Sequence, residues 1–242
     1  KKNQATIEAG IDFNVNLFKK WMKNLNPRKD LNETKKNSQE DDADKVKEKC
    51  LRVSIGAAAA LASVSEVVLK KLIESTMATI NKEGKSGLYD ISREAIINSI
   101  KLNDELDVLF NRALTRYNPD MNYAYVVPQK EVQNYIKTIN SNVNLHNGIN
   151  LVMYLLQEFA ITITKCAYNL VEYKKNSITV DFRAVDFSVT INCPTGLAKV
   201  LKQKLDSLPR KFKENVKKNK DDDEDDDDGE AGKKENKKTK KQ

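Results

Sequence analysis

The residues best able to support catalysis or metal binding are few in this sequence: one histidine, His146, and three cysteines, Cys50, Cys166 and Cys193. The cysteines lack the paired spacing of metal ligands, and an odd number without a pattern argues against a disulfide framework and for a reducing compartment. His146 has no nucleophile motif beside it, so the chain is a poor enzyme candidate. We therefore expect no catalytic residues, no metal site and no cofactor.

Basic side chains are the more informative group. There are 42 lysines and arginines against 35 acids, a net charge of +7, and 35 of the 42 are lysine. Two segments are internally neutral: 28–50 has seven basic and seven acidic side chains, and 211–242 has eleven of each. The excess charge therefore lies on the remaining, foldable part, and a compact basic body indicates an anionic polymer as partner.

Membrane association is not expected. No apolar run approaches the roughly 20 residues that span a bilayer, and the sequence shows no signal peptide. The first residue is lysine rather than methionine, which leaves room for preceding sequence.

The apolar spacing of the first half predicts helices. Glycine and proline are scarce, with 8 and 5 residues, which favours long helices over strands and turns. Helices are predicted over 14–24, 55–81, 92–102 and 103–110, followed by an extended segment over 117–130. The inserted segment of about 28–49 has mixed charge and too few apolar residues to fold by itself.

The second half repeats this plan. Helices are predicted over 131–139, 147–172 and 179–190, and Pro194 opens a last amphipathic helix. A helix of about 26 residues is roughly 39 Å long, too long to be covered by two short helices of its own half. We therefore expect the two long helices to pair with each other.

Several local sequences, in order, resemble histones. The first half resembles histone 2A at Ala9-Gly10-Ile11-Asp12-Phe13, Arg52-Val53, Asn103-Asp104-Glu105-Leu106 and Tyr125-Val126-Val127-Pro128-Gln129-Lys130. The second half resembles histone 2B at Tyr173-Lys174-Lys175-Asn176-Ser177-Ile178-Thr179 and Pro194-Thr195-Gly196-Leu197-Ala198-Lys199. The chain is thus similar to a viral histone doublet, a histone 2A-like fold fused to a histone 2B-like fold.

The resemblance implies an all-α protein of two histone folds, paired within the chain as a handshake dimer, with charged disordered segments. The expected units are a histone 2A-like fold with a docking segment over 1–130, a histone 2B-like fold over 131–210 and a disordered tail over 211–242. The implied function is non-specific packaging of double-stranded DNA in nucleosome-like particles. The implied partners are a histone 3–4-like doublet or tetramer and a second copy of the chain, in the virion and in a viral factory or host nucleus.

The residues implied to contact DNA lie in loops and at helix ends, where basic side chains and helix N-termini meet phosphates. By matching motif they are Lys20, Lys23, Arg52, Lys82, Lys85, Arg93, Lys174, Lys175, Ser177 and Thr179. Lysine is a point charge while arginine offers a planar fork, so we expect few minor-groove insertions and a salt-sensitive particle.

Two further surfaces follow from the resemblance. A remnant of the acidic patch that recruits partner proteins is expected at Glu66, Glu74, Asp104 and Glu105. That patch is expected to be eroded, because Lys71, Gly196 and Lys204 replace acids. Docking to the histone 3–4-like partner is expected at Tyr125, Val126, Val127 and Pro128.

The charged segments leave alternatives open. The insertion either alters how the two halves of a particle touch or has no role. The acidic run 221–228, followed by basic residues 233–241, either shields the basic body from DNA, recruits a partner, or only solubilises the chain.

Two other classes of protein remain possible. One is a histone-fold interaction module or transcription-factor subunit that does not form nucleosomes, against which the docking segment argues. The other is a histone chaperone, suggested by the acidic run and disfavoured by the basic body.

Overall fold

The structure is a computed structural model that describes residues 3–27, 51–82, 88–121, 123, 125–174 and 178–214. The predicted insertion of about 28–49, the helix break at 83–87 and the tail from 215 onwards lie outside the described residues. Within the described ranges, no helix combines the length and apolar character that crossing a bilayer requires.

The first half contains five helices and two short strands in its described residues: α1 Gln4–Ala9, α2 Val15–Asn24, β1 Arg52–Val53, α3 Ile55–Lys82, β2 Tyr89–Asp90, α4 Arg93–Lys101 and α5 Asp104–Leu114. Side-chain caps fix the short helices. Ser92 accepts a hydrogen bond from the N–H of Ala95, and Asn103 accepts one from the N–H of Leu106. Such caps satisfy N–H groups that have no partner within the helix.

The second half repeats this order: α6 Gln129–Ile139, β3 Val143–Asn144, a 3-10 turn at His146–Gly148, α7 Ile149–Tyr173, β4 Thr179–Val180, α8 Phe182–Asn192, α9 Thr195–Ser207 and α10 Arg210–Lys213. Asp181 caps α8 by accepting a hydrogen bond from the N–H of Ala184. Pro194 occupies the N-cap of α9 rather than its first turn.

The two halves are joined by two parallel strand pairs, β1 with β4 and β2 with β3. Each pair takes one strand from each half: Arg52 lies opposite Thr179, and Tyr89 lies opposite Val143. The loop before one long helix therefore lies beside the loop after the other, at both ends of the molecule. A long helix between two short ones, paired in this crossed manner, is the histone-fold handshake, so the chain is all-α with two histone folds paired intramolecularly.

Helix α3 lies at the centre of the core. Its 28 residues give a length of about 42 Å, and every side chain from Ala57 to Glu66 is buried. Helices α2, α7, α8, α9 and α10 all pack against it. The pairing of the long helices α3 and α7 that the sequence predicted is confirmed.

The structure differs from the predicted elements at several boundaries. Helix α1 was not predicted, and α5 continues four residues beyond the expected end at Phe110. Helix α8 begins at Phe182, because Thr179 and Val180 pair with β1 instead. Lys211–Lys213, part of the segment expected to be disordered, are helical, and Phe212 is buried.

Candidate nucleic-acid interface

One end of the handshake, which we call the Arg52 end, is formed by β1, β4 and the N-termini of α3 and α8. The N–H of Arg52 donates to the carbonyl of Ile178 at 2.7 Å, and the N–H of Ser54 donates to that of Val180 at 3.0 Å. Side chains alternate across a strand, so Val53 points into the core while Arg52 is exposed. The strand pairing therefore directs the Arg52 side chain away from the core.

Two helices begin at this end. The Ser54 hydroxyl accepts a hydrogen bond from the N–H of Ala57 at 3.0 Å, and Asp181 caps α8. A helix N-terminus carries partial positive charge and N–H donors that suit phosphate. The neutral Ser54 cap leaves this charge largely intact at α3, whereas the Asp181 carboxylate offsets it at α8.

Further basic residues lie at the same end. Helix α2 is held against β1 by Asn26, whose amide donates to the carbonyl of Leu51 at 2.9 Å. Lys20 and Lys23 are exposed on α2, and Lys174 is exposed at the end of α7. The structure thus brings Arg52, Thr179, Lys174 and the α2 lysines to one end of the molecule, while Lys175 and Ser177 lie outside the described residues.

The opposite end, which we call the His146 end, is formed by β2, β3 and the N-termini of α4 and α7. The guanidinium of Arg93 donates to the Glu94 carboxylate at 3.1 and 3.2 Å. Hydrogen bonds from its own backbone N–H and from Arg93 hold the pKa of Glu94 below its ordinary value. Glu94 therefore stays ionised and competes with phosphate for Arg93.

Acidic groups reduce the positive charge of the His146 end further. The His146 ring nitrogen Nε2 lies 3.0 Å from a carboxylate oxygen of Asp90. In addition, the backbone N–H of Arg93 donates to the side-chain oxygen of Asn147 at 3.1 Å, so this N–H is already occupied. The side chain of Lys82 and all of Lys85 lie outside the described residues. Among the described residues, the predicted DNA contacts are concentrated at the Arg52 end.

Glu66 is not part of a surface patch. It is 3% exposed, and its carboxylate accepts hydrogen bonds from the N–H groups of Asp12 at 2.5 Å and Phe13 at 2.7 Å. Burial raises the pKa of Glu66, and these hydrogen bonds partly offset that shift. The side chain anchors the segment before α2 and cannot meet a partner protein.

The other expected acidic-patch residues lie nearer the surface, and two have lysine partners. Lys71 lies 3.8 Å from the Glu105 carboxylate, and Lys70 lies 3.8 Å from that of Glu74. Asp104 is exposed in the first turn of α5. Little uncompensated negative charge therefore remains among these four acids.

The predicted docking residues pack largely against their own chain. Val126 and Val127 are 6% and 2% exposed, and the N–H of Val126 donates to the Gln157 side chain at 2.8 Å. Tyr125 is half-buried, and Pro128 is exposed at the start of α6. In this conformation the two valines are not available to a partner, and the docking role of the four residues stays a prediction.

A cluster of four tyrosines holds this segment against α7. Tyr123 lies over Tyr154 with ring centroids 4.7 Å apart, and Tyr117 lies 5.1 Å from Tyr154. Tyr125 completes the cluster, 6.2 Å from Tyr123. Such aromatic contacts contribute to stability beyond the area they bury. The described residues of this segment are therefore packed against α7.

Two exposed apolar residues were not identified as a candidate contact surface from the sequence. Phe187 and Ile191 are 63% and 61% exposed and lie one turn apart on α8. Their spacing of four residues was the signal that could have found them. An exposed apolar pair on one face of a helix is a candidate for contact with another protein.

Within the described ranges, no three histidine, cysteine, aspartate or glutamate side chains are grouped to hold a metal ion. Burial raises the pKa of the Cys193 thiol to about 12, so it is protonated at neutral pH and a poor nucleophile. Cys166 is half-buried, and Cys50 lies outside the described residues.

Comparisons with known proteins give a weak structural likeness. No protein-family model and no curated protein matches the chain. The solved structures include the histone from Methanopyrus kandleri, which is 13% identical, with a TM-score of 0.44, over 61% of this chain and 87% of that one.

Proposed function

We propose that this protein packages double-stranded DNA as a preassembled pair of histone folds, with no preference for sequence. The observation that carries the proposal is the Arg52 end, where the paired strands place an exposed arginine next to the start of two helices. The groups gathered there bind phosphates rather than bases, so affinity depends on charge and not on sequence. We further propose a histone 3–4-like partner and a second copy of the chain in the particle, as in a viral histone doublet.

The exposed pair Phe187 and Ile191 is the apolar surface we assign to contact with the histone 3–4-like partner. Both side chains are exposed on α8, whereas Val126 and Val127 are buried in this conformation. The alternative function, an interaction module that does not package DNA, would use the same apolar pair. DNA binding at the Arg52 end separates the two.

Salt dependence tests the proposed mode of DNA binding. We expect log K to fall linearly with log salt, because phosphate contacts release counterions. The slope should be steeper than for an arginine-rich histone pair, because lysine is a hydrated point charge without the bidentate fork. Fluorescence anisotropy on two duplexes of unrelated sequence between about 50 and 200 mM salt measures this. Different affinities for the two duplexes, or a slope no steeper than that of the arginine-rich pair, would contradict it.

Peptides that anchor an arginine in a histone acidic patch should bind this protein weakly. We expect dissociation constants in the millimolar range, about −4 kcal/mol, because Glu66 is buried and Glu105 is paired with Lys71. The matched variant is Lys71→Glu, which replaces the paired cation with an acid and should tighten binding. Isothermal titration calorimetry gives both values, and micromolar binding by the unmodified chain would show that the patch is intact.

A further inference from the structure

The last described helix, α10, packs against the first histone fold. Phe212 is 3% exposed, and its carbonyl oxygen lies so close to Gly56 that a Cβ there would come within 2.0 Å. The Lys211 ammonium pairs with the Glu8 carboxylate in α1. The chain therefore leaves α10 from a fixed point beside the N-terminus of α3.

This fixed point is close to the Arg52 end. Gly56 follows Arg52 by four residues, which places their Cα atoms at most about 14 Å apart. Residues 215–221 can extend about 25 Å from α10. The run 221–228, which consists of eight acidic residues, can therefore reach the Arg52 end.

Charge favours this end over the alternatives. Arg52, Lys23 and Lys174 are exposed there beside one acidic cap, Asp181, whereas the His146 end presents two acids, Asp90 and Glu94, beside Arg93. Two cations of α10 already have carboxylate partners, and the third, Lys213, donates to the backbone carbonyl of Asp206. Lys211 pairs with Glu8, and Arg210 pairs with Glu214 at 2.5 Å.

We propose that the acidic run 221–228 occupies the Arg52 end when DNA is absent, and that DNA binds there by displacing it. This inference rests on the proposed function, because it concerns regulation of the same phosphate-binding surface. A short tether gives the run an effective concentration in the millimolar range. The run therefore lowers the apparent affinity of the Arg52 end for DNA. Only a polyanion of high charge density, such as duplex DNA, displaces it.

A charge-free run is the first test. In this variant all eight acids of 221–228 are neutralised: the seven aspartates are replaced by asparagine, and Glu224 is replaced by glutamine. Duplex affinity should rise about tenfold near 50 mM salt, and the gain should shrink as salt screens the tail contact. Unchanged affinity at low salt would overturn the proposal.

A spacer variant separates local contact from net charge. Thirty glycine and serine residues inserted between Lys220 and Asp221 leave the charge unchanged, while the effective concentration of the run falls with tether length. We expect duplex affinity to rise part of the way towards that of the charge-free variant. If the spacer variant binds like the unmodified chain while the charge-free variant gains, the effect comes from net charge and the positional proposal fails.

Zero-length carboxyl–amine cross-linking detects the contact between the run and the Arg52 end independently of DNA affinity. In the DNA-free protein we expect links from the run to Lys23 or Lys174, and their loss when duplex is added. Links confined to the tail's own lysines at 233–241 would overturn the proposal. If the links to Lys23 or Lys174 form but no variant binds duplex, the proposed function fails while the tail contact stands.

Discussion

Arg52→Glu is expected to weaken duplex DNA binding roughly tenfold or more at about 100 mM salt, because it replaces a phosphate contact with repulsion. The strand pair β1–β4 directs this exposed side chain outward, next to the start of α3 and α8. Arg52→Ala should give a smaller loss and reduce the salt slope by about one. Anisotropy with a fixed duplex measures both variants.

Two arginines serve as controls for this prediction. Arg112 is exposed on α5, on a surface shared with Glu158 and Thr162 along α7 rather than with either loop pair, and Arg112→Ala should leave DNA affinity unchanged. Arg93→Ala should have a smaller effect than Arg52→Ala, because Glu94 already holds the Arg93 guanidinium. Equal losses at Arg52 and Arg112 would mean that only total charge matters and that the Arg52 end is not a site.

Glu66→Ala is expected to lower the free energy of unfolding by about 2–4 kcal/mol, because it removes the acceptor of one buried and one part-buried N–H group. These are the N–H groups of Asp12 and Phe13, which the Glu66 carboxylate on α3 accepts. Chemical denaturation of the full chain measures the loss. A change below about 0.5 kcal/mol, typical of a surface substitution, would contradict the buried anchor.

Comparison with Glu66→Gln tests how the stability contributed by the same contact depends on pH. Burial raises the folded-state pKa of Glu66 above its ordinary value of 4.5. The unfolded state therefore loses its proton first as the pH rises, so the contribution to stability is full below pH 4.5 and declines as the pH rises through the folded value. Glutamine does not titrate, so the wild type should lose stability relative to Glu66→Gln above that pH. A constant difference between the two proteins would show that the carboxyl is not buried.

Local sequence was enough to predict most of the helices. Ser92 and Asn103 cap helices where the apolar spacing begins, and the face of Leu61, Val64 and Val68 on α3 is buried as its period indicates. These features depend on neighbours within a few residues. The pairing of the two halves was also predictable, because a 28-residue helix needs a partner of similar length.

The remaining features depend on contacts that are distant in sequence. The strands β1 and β4 are two residues long, too short for a periodic pattern, and each exists only because the other is present. Glu66 is buried because backbone groups more than 50 residues away bond to it. Nothing in the sequence around Phe212 indicated that it would pack over Gly56.

The candidate site was accordingly predictable in part. Motif resemblance selected Arg52 and Lys174, and the structure places both at one end of the handshake. It also selected Arg93, whose guanidinium is held by Glu94, and Val126, which is buried. A resemblance gives positions along the chain, whereas the partner of each side chain depends on the particular residues around it.

The most direct measurement of the central claim is nuclease digestion of duplex DNA assembled with this protein and a histone 3–4-like partner. The proposed function predicts a protected fragment of uniform length that is the same for DNA of different sequences. It also predicts that Arg52→Glu weakens the protection. Digestion to small fragments with no protected length, by a protein that still forms a complex with the partner, would contradict packaging and favour the interaction module.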